Sequence, residues 1–194
     1  MTMSLDGFTA GQNQSFEHPF GDNFDSNLLD RWIFAEPEKF KHTKEIDAIL
    51  DAGAFIMGSN MFGPKDRRDT PEWKGWWGEN PPYHAPVFVL SHTKREPIEM
   101  EGGTTFFFVT DGIESALSKA KEASGNRNVI IMGGANTVNQ YLAAGLIDEL
   151  RLHIVPVTIG VGTRLFEGVP NLKLEPIEVG GTNVVTHIKY KVIK

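Results

Sequence analysis

The sequence predicts an α/β fold with a mostly parallel central sheet. Apolar runs of strand length recur at residues 54–58, 86–91, 105–110, 129–133 and 150–157. The runs that begin at 54, 86, 105 and 129 are apolar on both faces, as strands covered by helices on both sides are. Helical patterns lie between some of these runs, and such alternation of strands and helices is typical of parallel α/β sheets.

Helices are predicted where apolar side chains recur at helical spacing, in residues 25–35, 43–51, 113–124 and 136–146. Asp111, followed three residues later by Glu114, predicts a capping arrangement at the start of the third helix. The segment 43–51 leads directly into the strand at 54.

The C-terminal part of the chain has the alternation of a half-exposed antiparallel strand. Its two faces are Val184, Thr186, Ile188, Tyr190 and Val192, and Val185, His187, Lys189 and Lys191. The turn sequence GGTN at 180–183 joins this strand to residues 174–179, which predicts a terminal hairpin. Residues 63–86, rich in Pro, Gly and Trp, are predicted to be a long surface loop.

Composition indicates one globular domain over residues 1–194, with 40% apolar and 23% charged residues. The net charge is 19 − 25 = −6 without a basic block, so neither nucleic acid nor an anionic membrane is an expected partner. No signal peptide or membrane-spanning stretch is recognisable, and a cytoplasmic location is expected. The absence of cysteine excludes thiolate chemistry, and six histidines without an HxH or HxxxH pair give no local support for a metal site.

A glycine-rich turn stands between a strand and a helix in VIIMGGANTVNQYL at 129–142. Backbone N–H groups at a helix start attract phosphate, so Gly133-Gly134-Ala135 is a candidate pyrophosphate seat. A tight packing turn explains the motif equally well from sequence alone. The Rossmann and P-loop motifs are both absent.

Two further strands end in small or hydrogen-bonding residues. FIMGSNMFG at 55–63 continues into Gly58-Ser59-Asn60, and VLSHTKRE at 89–96 ends in Ser91-His92. Open α/β sheets bind ligands at the carboxyl ends of their strands, so these three ends together predict a binding edge.

These segments identify the chain as a member of the dihydrofolate reductase superfamily. It most closely resembles stand-alone proteins related to the C-terminal reductase domain of the bifunctional riboflavin-biosynthesis deaminase/reductase. The resemblance covers about residues 3–168, and its matching segments are MSLDGFTA at 3–10, FIMGSNMFG, FVLSHT at 88–93, VIIMGGANTVNQYL and LIDELRLHIVPVTIGVGTRLFEG at 146–168.

The resemblance implies a three-layer sandwich with an eight-stranded, mostly parallel sheet and an antiparallel C-terminal hairpin, and NADPH as hydride donor. It implies that Gly133, Gly134 and Ala135 hold the pyrophosphate at the start of a helix formed by Asn136, Thr137 and Val138. It further implies that Gly58, Ser59 and Asn60 contact phosphates, and that Ser91 and His92 lie near the adenosine ribose.

Two departures from the family pattern bear on function. Ser59 stands where dihydrofolate reductases usually carry an arginine, so His92, Lys94 or Arg95 would have to supply the contact to a 2′-phosphate. The chain also lacks the zinc deaminase signature of the bifunctional enzyme, and it has no cysteine for that site.

Hydride transfer to a C=N or C=O bond requires a proton source, for which Asp6, Asp25 and Glu167 are candidates. Asp6 is equally well read as a turn residue, and Asp25 as a helix cap. Residues 11–24 are expected to form a mobile loop over the nicotinamide, with Phe16, His18 and Phe20 near substrate. The loop at 63–86 contains three tryptophans, Trp73, Trp76 and Trp77. They either stack on a flat substrate or anchor the loop or a dimer contact, and anchoring is the more common role of such residues.

The leading hypothesis is an NAD(P)H-dependent reductase of a small pterin-like or pyrimidine-like heterocycle. The alternatives are the ribosylaminopyrimidine reductase of riboflavin biosynthesis and a non-catalytic dinucleotide-binding module. The first alternative needs cationic side chains for a ribose phosphate, and the segments expected to line the pocket supply few. Dihydrofolate is less favoured because no folate-tail arginine is matched, and the resemblance makes a homodimer an expectation.

Overall fold

The computed structural model describes all 194 residues. The strands are β1 (Thr2–Ser4), β2 (Phe8–Ala10), β3 (Ala54–Gly58), β4 (Pro86–Leu90), β5 (Ile98–Glu99), β6 (Thr105–Val109), β7 (Val129–Gly133), β8 (Glu149–Val155), β9 (Thr163–Arg164), β10 (Lys173–Gly181) and β11 (Thr186–Ile193). The helices are α1 (Asn27–Phe34), α2 (Glu38–Lys41), α3 (Thr43–Leu50), α4 (Ser59–Phe62), α5 (Ile113–Ser124) and α6 (Ala135–Ala143).

The fold is mixed α/β, with a mostly parallel sheet and additional antiparallel strands, as predicted. The chain divides into two compact units, one of residues 1–46 and 138–194 and the other of residues 47–137. The expectation of a single domain over residues 1–194 stays a prediction. None of the helices has the length and apolar character needed to cross a bilayer.

The unit of residues 47–137 contains a five-stranded sheet in the order β5-β6-β4-β3-β7. The strands β6, β4, β3 and β7 run parallel, and β5 is antiparallel to β6. Every residue of β3 is buried, as its uninterrupted apolar sequence predicts. Helix α5 covers the sheet with a buried face that includes Ala116, Leu117 and Ala120.

The loop of residues 63–85 is held to this unit by tryptophans. The Trp73 indole N–H donates to the carbonyl of Phe62 at 3.0 Å. The Trp77 ring meets the Tyr83 ring edge-on at 5.1 Å and stacks on Phe106 at 5.9 Å between centroids. Loop anchoring therefore accounts for Trp73 and Trp77.

The other unit contains a four-stranded sheet in the order β1-β8-β11-β10 and the two-stranded pair β2-β9. Strands β1 and β8 are parallel, whereas β11 runs antiparallel to both β8 and β10. The predicted terminal hairpin is confirmed in the pairing of β10 with β11. Helix α1 buries Leu29 and Trp32 of its apolar stripe, while Leu28 and Ile33 are half-buried.

Three details differ from expectation. The strands form sheets of five, four and two members rather than one ladder of eight, because β7 is hydrogen-bonded to β3 and ends the five-stranded sheet. The capping role given to Asp111 was wrong: Gly112 precedes α5 with φ of 96°, and the Asp111 carboxylate accepts from the Ser115 hydroxyl at 2.7 Å. His187, assigned to the polar face of β11, is only 7% exposed.

Candidate cofactor site

The glycine turn closes β7 and opens helix α6. Gly133 has φ of 135°, a conformation that favours glycine, and the Gly133–Gly134 peptide bond is cis. Ala135 is fully buried, and the amide of Thr137 donates to the carbonyl of Gly134 at 3.0 Å, which closes the first turn of the helix. The first N–H groups of a helix point along its axis, toward the space before its N-terminus.

The space beside Gly134 bears on the two interpretations of this turn. A Cβ built on Gly134 would meet no heavy atom within 4 Å, so the missing side chain is not needed for packing inside the protein. An open approach to the backbone at a helix start is what a bound phosphate requires. The space beside Gly134 is therefore compatible with a bound phosphate, and the pyrophosphate seat stays a prediction.

At position 58 the requirement for glycine comes from close packing. It ends β3, and a Cβ at this position would lie 2.4 Å from Oγ1 of Thr137. In the ladder between β3 and β7, Met57 pairs with Gly133 after an irregularity that skips Met132. Close packing of Gly58 against Thr137 thus brings the end of β3 to the first turn of α6.

The end of β4 lies beside the end of β3, because Leu90 pairs with Gly58. The Ser91 hydroxyl accepts from the amide of Thr93 at 3.0 Å, which forms a tight turn, and His92 is exposed. The three strand ends predicted as a binding edge are therefore neighbours in one sheet.

The side chains of helix α6 contribute unequally at this edge. Asn136 is exposed, whereas Thr137 and Val138 are only 6% and 3% exposed. Of these three residues only Asn136 presents its side chain to solvent, because Thr137 and Val138 are buried and the Thr137 amide already donates to Gly134. This burial follows from the apolar face of the helix.

Arg68 reaches the candidate site from the 63–85 loop, and sequence reasoning missed it. Its guanidinium donates to the side-chain oxygen of Asn60, on the short helix α4 directly after Gly58. The resemblance leads one to expect an arginine at position 59, where Ser59 stands. The run KDRRD at 65–69 was the signal available in the sequence, but nothing in it tells which arginine turns inward.

Arg95 has another function. It donates to the backbone carbonyls of Arg68 at 2.6 Å and Trp73 at 3.0 Å, and its guanidinium lies 4.7 Å from the centroid of the Phe108 ring. Partial burial lowers the pKa of Arg95, which the nearby acidic residues Asp69 and Glu72 only partly offset. Arg95 thus fixes the segment that carries Arg68, with both terminal nitrogens of its guanidinium bonded to main-chain oxygens.

Asp6 is surrounded by hydrogen-bond donors in the unit of residues 1–46 and 138–194. Its carboxylate accepts from the amides of Gly160 at 2.8 Å and Ile159 at 3.1 Å, and from the Ser4 hydroxyl at 2.5 Å. Desolvation acts to raise the pKa of Asp6, but these bonds outweigh it and the pKa lies below its ordinary value. Asp6 therefore holds the 159–160 loop, and its lowered pKa makes it a poor proton donor at neutral pH.

The other two proton-donor candidates occupy turns. The Asp25 carboxylate accepts from the amide of Asn27 at 3.1 Å and from its side chain at 2.9 Å, where α1 begins. Glu167 is exposed and follows Phe166, whose amide donates to the side chain of the buried Asn139 at 2.8 Å. The Asn139 amide also donates to the carbonyl of Arg164 at 2.9 Å, so Asn139 shapes the turn that carries Glu167.

Asp30 is a further carboxyl group that sequence reasoning missed. It lies in the first turn of α1 beside the buried Leu29, and burial raises the pKa of Asp30 to about 6, with a smaller contribution from the charge of Asp25. A carboxyl group with that pKa keeps a proton on a measurable fraction of molecules near neutrality. Asp30 lies outside the apolar stripe of α1, so nothing in the helical pattern of the sequence marks it.

Taken together, the fold and the strand-end site define an α/β protein with a candidate phosphate seat at the carboxyl ends of parallel strands. The chain belongs to the family described as the RibD C-terminal domain, whose model matches residues 1–186. This family lies within the dihydrofolate reductase-like superfamily, so the resemblance seen in the sequence is confirmed.

The chain is also similar to individual proteins over almost its whole length. The chain is 25% identical to the uncharacterized protein YyaP of Bacillus subtilis over 194 residues, covering 95% of this chain and 89% of the relative. A solved structure from a Shewanella species, assigned to riboflavin biosynthesis, superposes with a TM-score of 0.64 at 22% identity, covering 99% of this chain and 96% of that one. The deaminase/reductase of Thermotoga maritima gives a TM-score of 0.55 at 14% identity, with 98% of this chain matched to 54% of that one.

Proposed function

We propose that this protein is an NAD(P)H-dependent reductase that transfers hydride to a small heterocyclic substrate, with NADPH as the donor. The observation that carries the proposal is Gly134, whose missing side chain leaves the backbone at the start of α6 open although no packing requires it. The neighbouring ends of β3 and β4 extend this edge, which is where α/β sheets hold nucleotides. Membership of the RibD C-terminal domain family supports a reductase of the riboflavin-pathway type.

The residues present fit a dinucleotide. The amides of the first turn of α6 would hold its pyrophosphate, and Gly133 and Gly134 would admit it without a steric clash. Ser59 and Asn60 follow Gly58 at the adjoining strand end, and Arg68 brings a guanidinium to Asn60. A guanidinium binds phosphate oxygens in pairs, so Arg68 supports NADPH rather than NADH as the preferred cofactor.

Reduction of a C=N or C=O bond moves a hydride to carbon and leaves the heteroatom to take up a proton. Bound NADPH would supply the hydride. The pKa of Asp30 is raised, which suits a proton donor, whereas that of Asp6 is lowered. Asp30 is accordingly our first choice of proton donor, ahead of Asp25 and Glu167.

The substrate is proposed as a pterin-like or pyrimidine-like ring. The second candidate is the riboflavin-pathway reduction of a ribosylaminopyrimidine phosphate, favoured by relatives that include the deaminase/reductase of Thermotoga maritima. A cytoplasmic location and a homodimer, both expected from the sequence analysis, complete the proposal.

The test is a turnover assay with purified protein, NADPH and a panel of oxidised pterins, pyrimidines and the ribosylaminopyrimidine phosphate, followed by loss of nicotinamide absorbance. The proposal predicts turnover with at least one ring, slowed at least tenfold in Asp30→Asn and little changed in the exposed control Asp47→Asn. A different result would indicate a non-catalytic dinucleotide-binding module. In that case the protein would bind NADPH but turn over no ring, and alanine at Asp6, Asp25, Asp30 or Glu167 would leave NADPH binding unchanged.

A further inference from the structure

Three histidines far apart in the sequence meet in the interior of the unit of residues 1–46 and 138–194. Nδ1 of His42 lies 2.9 Å from Nε2 of His187, and Nδ1 of His187 lies 2.7 Å from Nδ1 of His153. The three side chains are only 1%, 7% and 4% exposed. The proposed reduction uses none of them.

A carboxylate completes the group. Glu45 lies on α3, three residues after His42, and ligand atoms of His42, Glu45 and His187 all fall within 4.8 Å of one another. Glu45 is the only one of the three that is partly exposed, so it provides a path from solvent to the two buried imidazoles.

We propose that His42, Glu45 and His187 form a binding site for a divalent transition metal ion of the zinc type. Two imidazole nitrogens and one carboxylate oxygen are a donor set that Zn²⁺ commonly takes, with water as a fourth ligand. Two nitrogen ligands of a tetrahedral ion stand about 3.3 Å apart. The observed separation of 2.9 Å therefore has to widen by only a few tenths of an ångström.

The hydrogen bonds of His42 and His187 through their non-coordinating ring nitrogens suit metal binding. A neutral imidazole binds a metal through one nitrogen and keeps its proton on the other, which needs an acceptor. With His187 coordinating through Nε2, its Nδ1–H donates to Nδ1 of His153. With His42 coordinating through Nδ1, its Nε2–H faces the Thr182 hydroxyl at 3.4 Å.

Two buried polar atoms in the group around the three histidines lack hydrogen-bond partners, which is unusual for a purely structural core. Nε2 of His153 and Nε1 of Trp32 are buried without a hydrogen-bond partner. Buried polar groups in folded proteins are nearly always paired, and the exceptions need an explanation. The Trp32 ring lies 5.0 Å from that of His187 and 5.8 Å from that of His42 between centroids, so Trp32 is a built-in reporter of the site.

The test is calorimetric titration of the tag-free, chelator-treated protein with Zn²⁺ at pH 7.5. The proposal predicts one ion per chain, with affinity reduced at least tenfold in Glu45→Gln and unchanged in Asp47→Asn, a carboxylate change on the same helix. Glu45 is partly exposed, so this variant keeps the core intact. Equal Zn²⁺ binding by both variants, or none by the wild type, would overturn the proposal.

A second measurement localises the ion independently of affinity. Co²⁺, which takes the same ligands, is expected to give the intense visible absorption of a four-coordinate ion and to quench tryptophan emission. The quenching should be lost in Trp32→Phe while Co²⁺ still binds. Undiminished quenching in Trp32→Phe would place the ion elsewhere and contradict the site.

Discussion

The hydroxyl oxygen of Thr137 occupies the space that a side chain on Gly58 would need. A Cβ on Gly58 would lie 2.4 Å from Oγ1 of Thr137, but 3.6 Å from Cβ of Thr137, which is an ordinary contact. The clash thus involves one atom of a buried side chain at the first turn of α6. This relationship joins the end of β3 to the helix that follows the glycine turn.

Gly58→Ala is expected to lower the free energy of unfolding by about 1–3 kcal/mol, the usual cost of overpacking. Thr137→Ala removes the clashing oxygen, so the double variant should recover most of the loss caused by Gly58→Ala. Chemical denaturation of the four proteins in a double-mutant cycle measures this coupling. If the free-energy costs of the two single substitutions simply add in the double variant, the packing account of Gly58 is contradicted.

Arg68 is expected to select NADPH over NADH through the 2′-phosphate. Arg68→Gln should weaken NADPH binding at least tenfold and leave NADH binding unchanged, because only NADPH carries the extra phosphate. Fluorescence titration with both dinucleotides measures this. Arg67→Gln is the matched control, since both arginines lie 3.8 Å from the carboxylate of a neighbouring aspartate but the side chain of Arg67 is 44% exposed against 16% for Arg68. If Arg68→Gln weakens the binding of NADPH and NADH equally, Arg68 does not select between the two cofactors.

Asp30 is expected to make the protein less stable as the pH rises. Burial raises the pKa of Asp30 to about 6 in the native state, against about 3.9 for an unfolded chain. Between these values the native state binds more protons than the unfolded state, so stability is greatest below the unfolded pKa and falls as pH rises to the native one. Solvent screening of this half-buried group reduces the effect to roughly 1 kcal/mol.

Urea denaturation at pH 5 and pH 7.5 checks this. Asp30→Asn should be the more stable protein at pH 7.5 by roughly that amount, and the advantage should shrink at pH 5. The exposed Asp47→Asn should follow the wild type. An Asp30→Asn protein less stable than the wild type at pH 7.5 would show that the native state favours the ionised carboxylate.

The strands were predictable because short continuous apolar runs are typical of helix-flanked strands, although β3 is buried throughout whereas β7 is only half-buried from Val129 to Met132. The runs at 54–58 and 129–133 are strands with the predicted bounds. The glycine turn was equally visible, yet the sequence alone left its two interpretations balanced. The structure adds that the space beside Gly134 is open whereas that beside Gly58 is filled by Thr137, a difference that the sequence does not show.

The remaining features depend on contacts between distant residues. His42 and His187 are 145 positions apart and His153 and His187 are 34 apart, so no local spacing could reveal their meeting. His187 also sits on the face of β11 that alternation marks as polar. Arg68 reaches Asn60 through the fold of an irregular loop, for which hydrophobic periodicity gives no guide.

The most direct test of the central claim is titration of the wild type and Gly134→Ala with NADPH, following nicotinamide fluorescence and thermal unfolding. Because no atom lies within 4 Å of the added Cβ, Gly134→Ala should fold with nearly wild-type stability. The wild type should be stabilised by roughly 2.7 kcal/mol at 100 times Kd, and the variant should bind at least tenfold more weakly. Failure of the wild type to bind NADPH, or equal binding by Gly134→Ala, would contradict a dinucleotide seat at this turn.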